Sequence, residues 1–450
     1  MAGNINLFPC SCSFRLYSTS DDDQEPNLRS KSFSQDSFNS SFSSKTSFPS
    51  LISTLIQPTT TLHHECISTF KTTSSQILSL TVAGNHLISG SSTHIHLLPS
   101  QPTATDYNNL NSIPCRTAVK SLQMLNENIL ISAHQDHKIR IWKINNLNFV
   151  LPGHYQWPGS TKDAHVSPQL ISCGSMSRLG HVSDNICPLK IVTILPTLKD
   201  RLTKILFAKN YVEIRRHKKL TWIHHNDAVS SLAVSSNKTL IYSASWDRSF
   251  KIWRISDFKC LESVSNAHDD AISAILSSDE GFVYTGSADK KIKVWKFNEK
   301  HKKHDLIDSL LHHKSSVNAL TYDDNSCVLI SGACSGVMIA SERDFSGNGG
   351  HMVVMGALLG HKKAILSVKI VGELVCSGSA DKTMRLWRRA AAKSYTCLSV
   401  LEGHGGPVKC LTVVEENSGE DDYGKGYMVY SGSLDGEIKV WKVWVPNVNC

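Results

Sequence analysis

From about residue 64 the chain sets apolar against polar positions in pairs of short alternating runs. The clearest copies are "LIYSASWDRSFKIWRI" (240–255), "FVYTGSADKKIKVWKF" (282–297), "LVCSGSADKTMRLWRR" (374–389) and "MVYSGSLDGEIKVWKV" (428–443). In each, an apolar β-rich run ends in small residues, an acidic turn follows, and a second alternating run ends on tryptophan. Period-two alternation bounded by turn residues predicts strand, tight turn, strand. The Asp-to-Trp interval is six in every intact copy: Asp136 to Trp142, Asp247 to Trp253, Asp289 to Trp295, Asp381 to Trp387 and Asp435 to Trp441. With Asp in the turn, that constant interval fixes where the tryptophan lands on the strand. Asp247 and Asp289 are 42 residues apart, and Asp289 and Asp381 are 92 apart, or twice 46. Such a period belongs to four-stranded propeller blades, whose repeats run ~40–45 residues.

Two further copies are eroded. "LISGACSGVMIASERD" (329–344) has Ser335 where Asp belongs and Ala340 where Trp belongs, while "LISGSSTHIHLLPS" (87–100) lacks both and is one residue short. Both keep alternating strands and count as blades. Taking each unit as an outer strand d followed by a, b and c gives units near 64–98, 105–144, 218–255, 259–297, 305–344, 351–388 and 395–443, which is seven. The strand around "ECISTF" (65–70) then completes the last blade beside "EIKVWKV", closing the ring and removing open edges. An eighth blade in 201–217 is rejected because no second strand and no Asp-to-Trp interval is legible there. Residues 145–217 therefore read as an insertion between strands c and d of the second blade, with "KLTWIH" (219–224) as strand d. Connections of that length are usually functional or disordered.

The repeats resemble the WD40 family over roughly residues 64–444. The resemblance extends to a histidine before each strand a: His268 in "AHDDAISAI", His361 in "GHKKAILSV", His404 in "GHGGPVKCL", and His224 or His225 in "HHNDAVSSL". It implies hydrogen-bonded sets of His268, Thr285 or Ser287, Asp289 and Trp295; of His361, Ser377 or Ser379, Asp381 and Trp387; and of His404, Ser431 or Ser433, Asp435 and Trp441. A carboxylate accepts, an indole donates, and imidazole and hydroxyl do both, so such a buried set can be satisfied. The Trp-Asp pair that names the family is missing from the repeat ends, which read Trp-Arg or Trp-Lys. Segments outside the generic repeat, "LPTLKDRL", "NYVEIRRHKKLTWIHHNDAVSSL", "CLESVSNAHDDAISA" and "CLSVLEGHGGPVKCLTVVEE", are similar to plant JINGUBANG-like WD40 proteins. That resemblance implies a non-enzymatic regulator, linked in the family to pollen germination and to transcription-factor partners.

Composition adds a tail, a charge and several exclusions. Residues 1–60 carry eleven serines between Ser30 and Ser53 and the acids Asp21, Asp22, Asp23 and Glu25, a composition that cannot repay ordering entropy. A disordered tail is expected, with Ser32 three residues after Arg29 as a candidate phosphosite. Its opening "FPCSCSFRLYSTS" faintly resembles an organellar transit peptide, against which the acids count. Thirteen scattered cysteines and no signal-peptide pattern fit a reducing compartment, cytoplasm or nucleus. No run approaches the ~18 apolar residues that span a bilayer.

The formal charge is +8, and residues 190–219 hold nine Lys/Arg against two acids, so +7 sits in one stretch. Lys209, Arg215, Arg216 and Lys218 are its candidate partner-binding residues. The acidic "EENSGEDDYGKG" (415–426) is expected on the same face, where the two could meet as a self-contact. Aromatic interleaving is thin (Phe207, Tyr211), which disfavours direct nucleic-acid binding. Ser-His-Asp groups recur once per repeat, whereas a catalytic site is single, and no phosphate loop, CxxC or HxxxH pair is present. His154, His165, Cys173, His181 and Cys187 read as loop residues.

These features predict an all-β, seven-bladed WD40 propeller over 61–450, monomeric in itself, without cofactor or metal. It would serve as a protein-interaction scaffold. The alternative is a ubiquitin-ligase substrate receptor, against which "WRIS", "WKFN", "WRRA" and "WKVW" lack the Trp-Asp-x-Arg of cullin-4 docking receptors.

Overall fold

A computed structural model describes residues 62–72, 76–100, 111–145, 188–206, 210–215, 218–344, 351–390, 394–416 and 424–446. The tail, Ser32, Lys209 and Arg216 lie outside them. The described residues form seven four-stranded antiparallel sheets and one separate hairpin. Strand β1 (His63–Lys71) comes first in the chain but belongs to the last sheet. Blade one is β2 (Ile77–Ala83), β3 (His86–Ser91), β4 (His94–Pro99) and β5 (Asn111–Pro114). Blade two is β6 (Val119–Asn126), β7 (Ile129–His134), β8 (Ile139–Ile144) and β9 (Leu189–Leu195). Helix α1 (Leu198–Ile205) and the hairpin β10 (Tyr211–Arg215) and β11 (Lys218–Thr221) follow. Blade three is β12 (Val229–Val234), β13 (Leu240–Ser245), β14 (Phe250–Arg254) and β15 (Cys260–Val264). Blade four is β16 (Ile272–Ser277), β17 (Phe282–Ser287), β18 (Ile292–Asn298) and β19 (Lys303–Leu310). Blade five is β20 (Val317–Asp323), β21 (Val328–Ala333), β22 (Met338–Asp344) and β23 (His351–Leu358). Blade six is β24 (Ile365–Val371), β25 (Leu374–Ser379), β26 (Met384–Arg389) and β27 (Tyr395–Leu401). Blade seven is β28 (Val408–Glu415), β29 (Gly424–Ser433) and β30 (Glu437–Pro446), with β1 as its outer strand.

Ring closure is as expected from "ECISTF": β1 runs antiparallel to β30 with Cys66 opposite Trp441 and Phe70 opposite Ile438. Beyond the ladder, the Thr72 hydroxyl donates to the Gly436 carbonyl at 2.8 Å. The small-residue run of each strand b is where the next blade packs. A Cβ on Gly286 would stand 2.8 Å from Val317 Cγ1, and one on Gly432 2.6 Å from Ile77 Cγ2, so only glycine fits there. Blades two and three use Ala133 and Ala244 at this place, both fully buried. The core is accordingly a circle of inter-blade clusters, such as Ile131, Ile141, Val229, Leu232 and Trp253 between blades two and three.

Three sequence expectations need correction. The outer strand of blade two is β9, "LKIVTIL", with Ile191 opposite Trp142, and not "KLTWIH". Its apolar residues Ile191, Val192 and Ile194 fit a strand, whereas "KLTWIH" is the run that adjoins the His loop, as strand d does in the other blades. Strands c and d of blade two are thus separated by 145–188, not 145–217, and the remaining stretch joins blade two to blade three. Second, 201–217 does have a strand partner, because β10 pairs with β11 as Tyr211 opposite Thr221. Third, register puts Ser341, not Ala340, at the tryptophan position of blade five: Leu329 faces Ser341 as Val283 faces Trp295.

The position of β9 changes where the charge lies. Strand β9 ends opposite Ile139, at the end of the blade that bears the Asp turns. The acidic connection leaves β28 at Glu415, opposite Tyr427 and at the other end of its blade from the Val408–Ser433 pair. The basic hairpin and the acidic loop therefore start from opposite faces, and they do not share the single face on which the self-contact was expected.

Candidate functional site

Four blades build the same polar cluster on the Asp-turn face. In blade three His225, the second of the two candidate histidines, sets Nδ1 3.0 Å from Asp247 Oδ2 and Nε2 2.8 Å from Ser243 Oγ, and the Trp253 indole donates to that hydroxyl at 2.9 Å. The chain of polarity assigns the tautomer: Nδ1–H donates to the carboxylate, the serine hydroxyl donates to Nε2, and the indole N–H donates to the serine oxygen. Blade four repeats this with His268, Asp289, Thr285 and Trp295 at 2.8, 2.7 and 2.9 Å. Blade six uses His361, Asp381, Ser377 and Trp387 at 2.9, 2.8 and 2.9 Å. In blade seven His404 and Trp441 meet Ser431 at 2.8 and 2.9 Å, but Nδ1 stands 3.4 Å from Asp435.

The first of each pair of candidate hydroxyls thus joins the cluster. The second fastens the turn: Ser287 accepts from the Asp289 amide at 3.1 Å and donates to the Asp270 carbonyl at 3.0 Å. Burial works against the charge of Asp289, yet its hydrogen bond from His268 and two backbone amides hold its carboxyl down to about 2. Asp247 and Asp381 are likewise held below the ordinary carboxylate range against the same burial.

The other blades depart in instructive ways. Blade two has no loop histidine in this role. His134 on β7 brings Nε2 to 2.7 Å from Ser132 Oγ, where the Trp142 indole also donates at 2.7 Å. Asp136 instead takes a two-pronged bond from Arg140, at 3.1 and 2.6 Å. Burial, with Arg140 nearby, pushes the His134 imidazole down to about 3. Nothing in the Asp-to-Trp spacing signals this; the histidine occupying a strand position where serine is usual was the available clue. Blade five keeps His313 on Ser331 at 2.7 Å without carboxylate or indole, and burial lowers that imidazole to about 4. In blade one the cluster is gone, and Ser89 Oγ and both ring nitrogens of His96 are buried without a hydrogen-bond partner.

A nucleophile would have to be accessible and unique. Here hydroxyl and imidazole are buried, the half-buried carboxylate is tied down in the turn, and the set is repeated around the ring, which fits a clamp between strands. Among the described residues one trio with metal-ligand chemistry gathers, His404, Asp435 and Glu437, whose ligand atoms lie within 4.8 Å of one another. Glu437 is drawn to Lys71 at 3.6 Å and Lys439 at 3.5 Å, so cations of the chain already face that carboxylate.

Between blades two and three the chain builds something the repeat does not require. Thr197 caps α1, its hydroxyl accepting from the Asp200 amide at 3.1 Å. Asp200, 3% exposed, reaches inward and accepts from the Cys260 amide of β15 at 3.1 Å. Asn210 donates to the Lys204 carbonyl at 2.9 Å and Tyr211 to that of Ile205 at 3.2 Å, satisfying the helix C-terminus. Trp222 then ties Asn210 to the blade, and Lys251 donates to the Trp222 carbonyl at 2.6 Å. Of the candidate partner-binding residues, Arg215 and Lys218 face each other across the hairpin at the end of this assembly.

Seven blades closed by β1, four of them locked by a His–Ser/Thr–Asp–Trp cluster, define the class: a seven-bladed propeller presenting loops and rim elements on a rigid ring. The family described as "WD domain, G-beta repeat" matches residues 217–254, 258–296, 352–388 and 395–442, so the chain carries four WD40 repeats within its propeller. It is 40% identical over 85 residues to "Pre-mRNA-processing factor 19 homolog 2" of Arabidopsis thaliana, covering 18% of this chain and 14% of the relative. It is 30% identical over 148 residues to "WD repeat-containing protein pop2" of Schizosaccharomyces pombe, covering 31% and 17%. To "Ribosome biogenesis protein YTM1" of Meyerozyma guilliermondii it is 26% identical over 166 residues, covering 33% and 36%. The chain thus spans only 14%, 17% and 36% of the length of these relatives. The WD40 propeller is typically a non-enzymatic scaffold, and no described helix is long and apolar enough to cross a membrane.

Proposed function

We propose that this protein is a non-enzymatic interaction scaffold whose partners are proteins. The observation that carries this reading is the fourfold recurrence of the His–Ser/Thr–Asp–Trp cluster with nearly constant distances, which gives the polar chemistry of the ring to its structure. Individuality is concentrated elsewhere, in the basic elaboration between blades two and three. Residues 190–219, with a formal charge of +7, supply the charge that an acidic protein partner would meet. In finer terms, the resemblance to JINGUBANG-like proteins supports a plant developmental regulator that engages a transcription factor. The names of relatives in pre-mRNA processing and ribosome biogenesis support work in the nucleus.

The test is affinity purification of the full chain from nuclear and cytoplasmic extracts, beside a variant lacking 146–187. That deletion spares β9, whereas removal of 145–217 would take away an entire blade strand. Stoichiometric protein partners enriched from the nuclear extract are expected. Recovery of cullin-complex subunits would move the protein to the ligase-receptor class, and the absence of any stoichiometric partner would overturn the scaffold.

A further inference from the structure

Helix α1 is amphipathic, and it is mounted with its apolar side outward. Leu198, Leu202, Ile205 and Leu206 follow the i, i+4, i+7, i+8 spacing that normally turns toward a core. Here Leu198 is 73%, Leu202 65% and Leu206 79% exposed, while the one buried residue of the helix is Asp200. On neighbouring β9, Ile191 and Val192 are also exposed. Isolated surface leucines need no explanation, but a contiguous apolar stripe held outward does.

The orientation is imposed by polar bonds at several points. The Thr197 cap, the Asp200–Cys260 bond, and the Asn210 and Tyr211 side chains on the last carbonyls hold both ends of the helix, and Lys204 lies 5.1 Å over the Trp222 ring. Rolling the leucines inward would break the bond of a buried carboxylate. The stripe is therefore displayed by a preorganised element, which lowers the ordering cost of binding.

The charge around the stripe selects the partner. Lys199 and Arg201 are exposed on the same helix, and its only acid is turned into the protein. The geometry points to a docking surface for a short amphipathic segment of another protein, with apolar anchors at helical spacing and acidic residues flanking them. This rests on the scaffold reading above and assigns it a face. A lipid surface fits less well, because two helical turns pinned at both ends offer little length to lie in a headgroup layer.

A phage-displayed library of random 16-residue peptides, selected on the full chain, tests the assignment. Enriched peptides should carry net negative charge with apolar residues at i, i+3/i+4 and i+7. They should lose at least tenfold in affinity on the L198S/L202S/L206S variant, whose circular dichroism and melting should match the parent since all three side chains are exposed. A reversed-charge variant, K199E/R201E, should weaken the same peptides and steepen no salt dependence. Peptides that bind parent and variants equally would sink the surface. So would parent-only binding to 7:3 phosphatidylcholine–phosphatidylserine vesicles with no peptide dependence, a dimer in solution that the leucine substitutions dissolve, or hydroxyl-radical footprints that find Leu198 and Leu202 already shielded in the isolated monomer. If partners captured by the parent chain are retained by the leucine variant, this surface falls while the scaffold stands.

Discussion

Ser377 shows how much one hydroxyl holds in this ring. It serves the His361 imidazole and accepts the Trp387 indole while being wholly buried, so alanine there strands two buried polar groups. We expect S377A to cost about 2–4 kcal/mol in urea unfolding, because each unsatisfied group costs ~1–3 kcal/mol. S331A in blade five should cost about half as much, since only His313 depends on that oxygen through its ring. His96 is the converse case: both ring nitrogens lack partners, so H96L should be neutral or stabilising by about 1 kcal/mol in the same measurement.

The histidines also set the response to acid. His134 and His313 have folded-state values lowered to about 3 and about 4, from 6.5. A depressed imidazole favours the neutral form, so the stability it contributes is present above pH 6.5 and is lost as pH falls below it. Between pH 7 and 5 each should cost on the order of 2 kcal/mol, read as a fall in the urea midpoint. Asp289 has the same sign in a lower window: its contribution is full above about pH 4 and disappears as pH drops through about 2. H313Q should remove its own share of the upper slope and leave the lower one unchanged.

At the scale of elements, repeats were legible and exceptions were not. The Asp-to-Trp interval located strands b and c because turn and strand chemistry recur at fixed spacing. Strand d carries no such marker, and β9 is illegible because its apolar residues Ile191, Val192 and Ile194 neither alternate strictly nor have an Asp or Trp beside them. The hairpin is illegible for a related reason: "NYVEIRRHKKLT" offers charged residues and no Asn-Gly or Asp-Gly signal between its two strands. Helix α1 did leave a trace in "PTLKDRL", where Thr197 precedes the helix as a cap, but the apolar periodicity alone would have assigned its leucines to a core. What turned them outward is Asp200, whose partner lies 60 residues away on another blade. T197A should cost ~1 kcal/mol locally. D200A should release the helix, seen as faster amide exchange over 198–205 with the exchange of β12–β15 unchanged.

For the molecule as a whole, the ring depends on its first described strand, β1. A chain beginning at residue 62 should keep the parent melting temperature, because β1 and its contacts are intact. A chain beginning at residue 73 loses the ladder to β30 and uncovers Phe70's place in the cluster with Ile77, Leu87, Tyr430 and Ile438. It should melt well below the parent and aggregate through the exposed edge of β30, as light scattering would show. The closed-ring count of seven was readable because erosion of the clusters in blades one and five left the strand alternation untouched. The basic hairpin alone lies on a different face from the one expected, because β9 rather than "KLTWIH" is strand d of blade two and the segment after it starts from the Asp-turn end of the blade.

The seam between β1 and β30 also places a clock on synthesis. When β1 is complete, 365 residues, 72–436, are still to be made before its partner strand even begins. At ~5–20 residues per second, that is a wait of roughly 20 to 70 s for a strand with exposed backbone amides and carbonyls. Six blades can assemble in that interval while the seventh cannot, so the nascent chain is an open arc for most of its manufacture. A chaperone that recognises extended segments would find its longest opportunity at His63–Lys71, and ribosome-profiled capture of such a chaperone should end as β30 emerges.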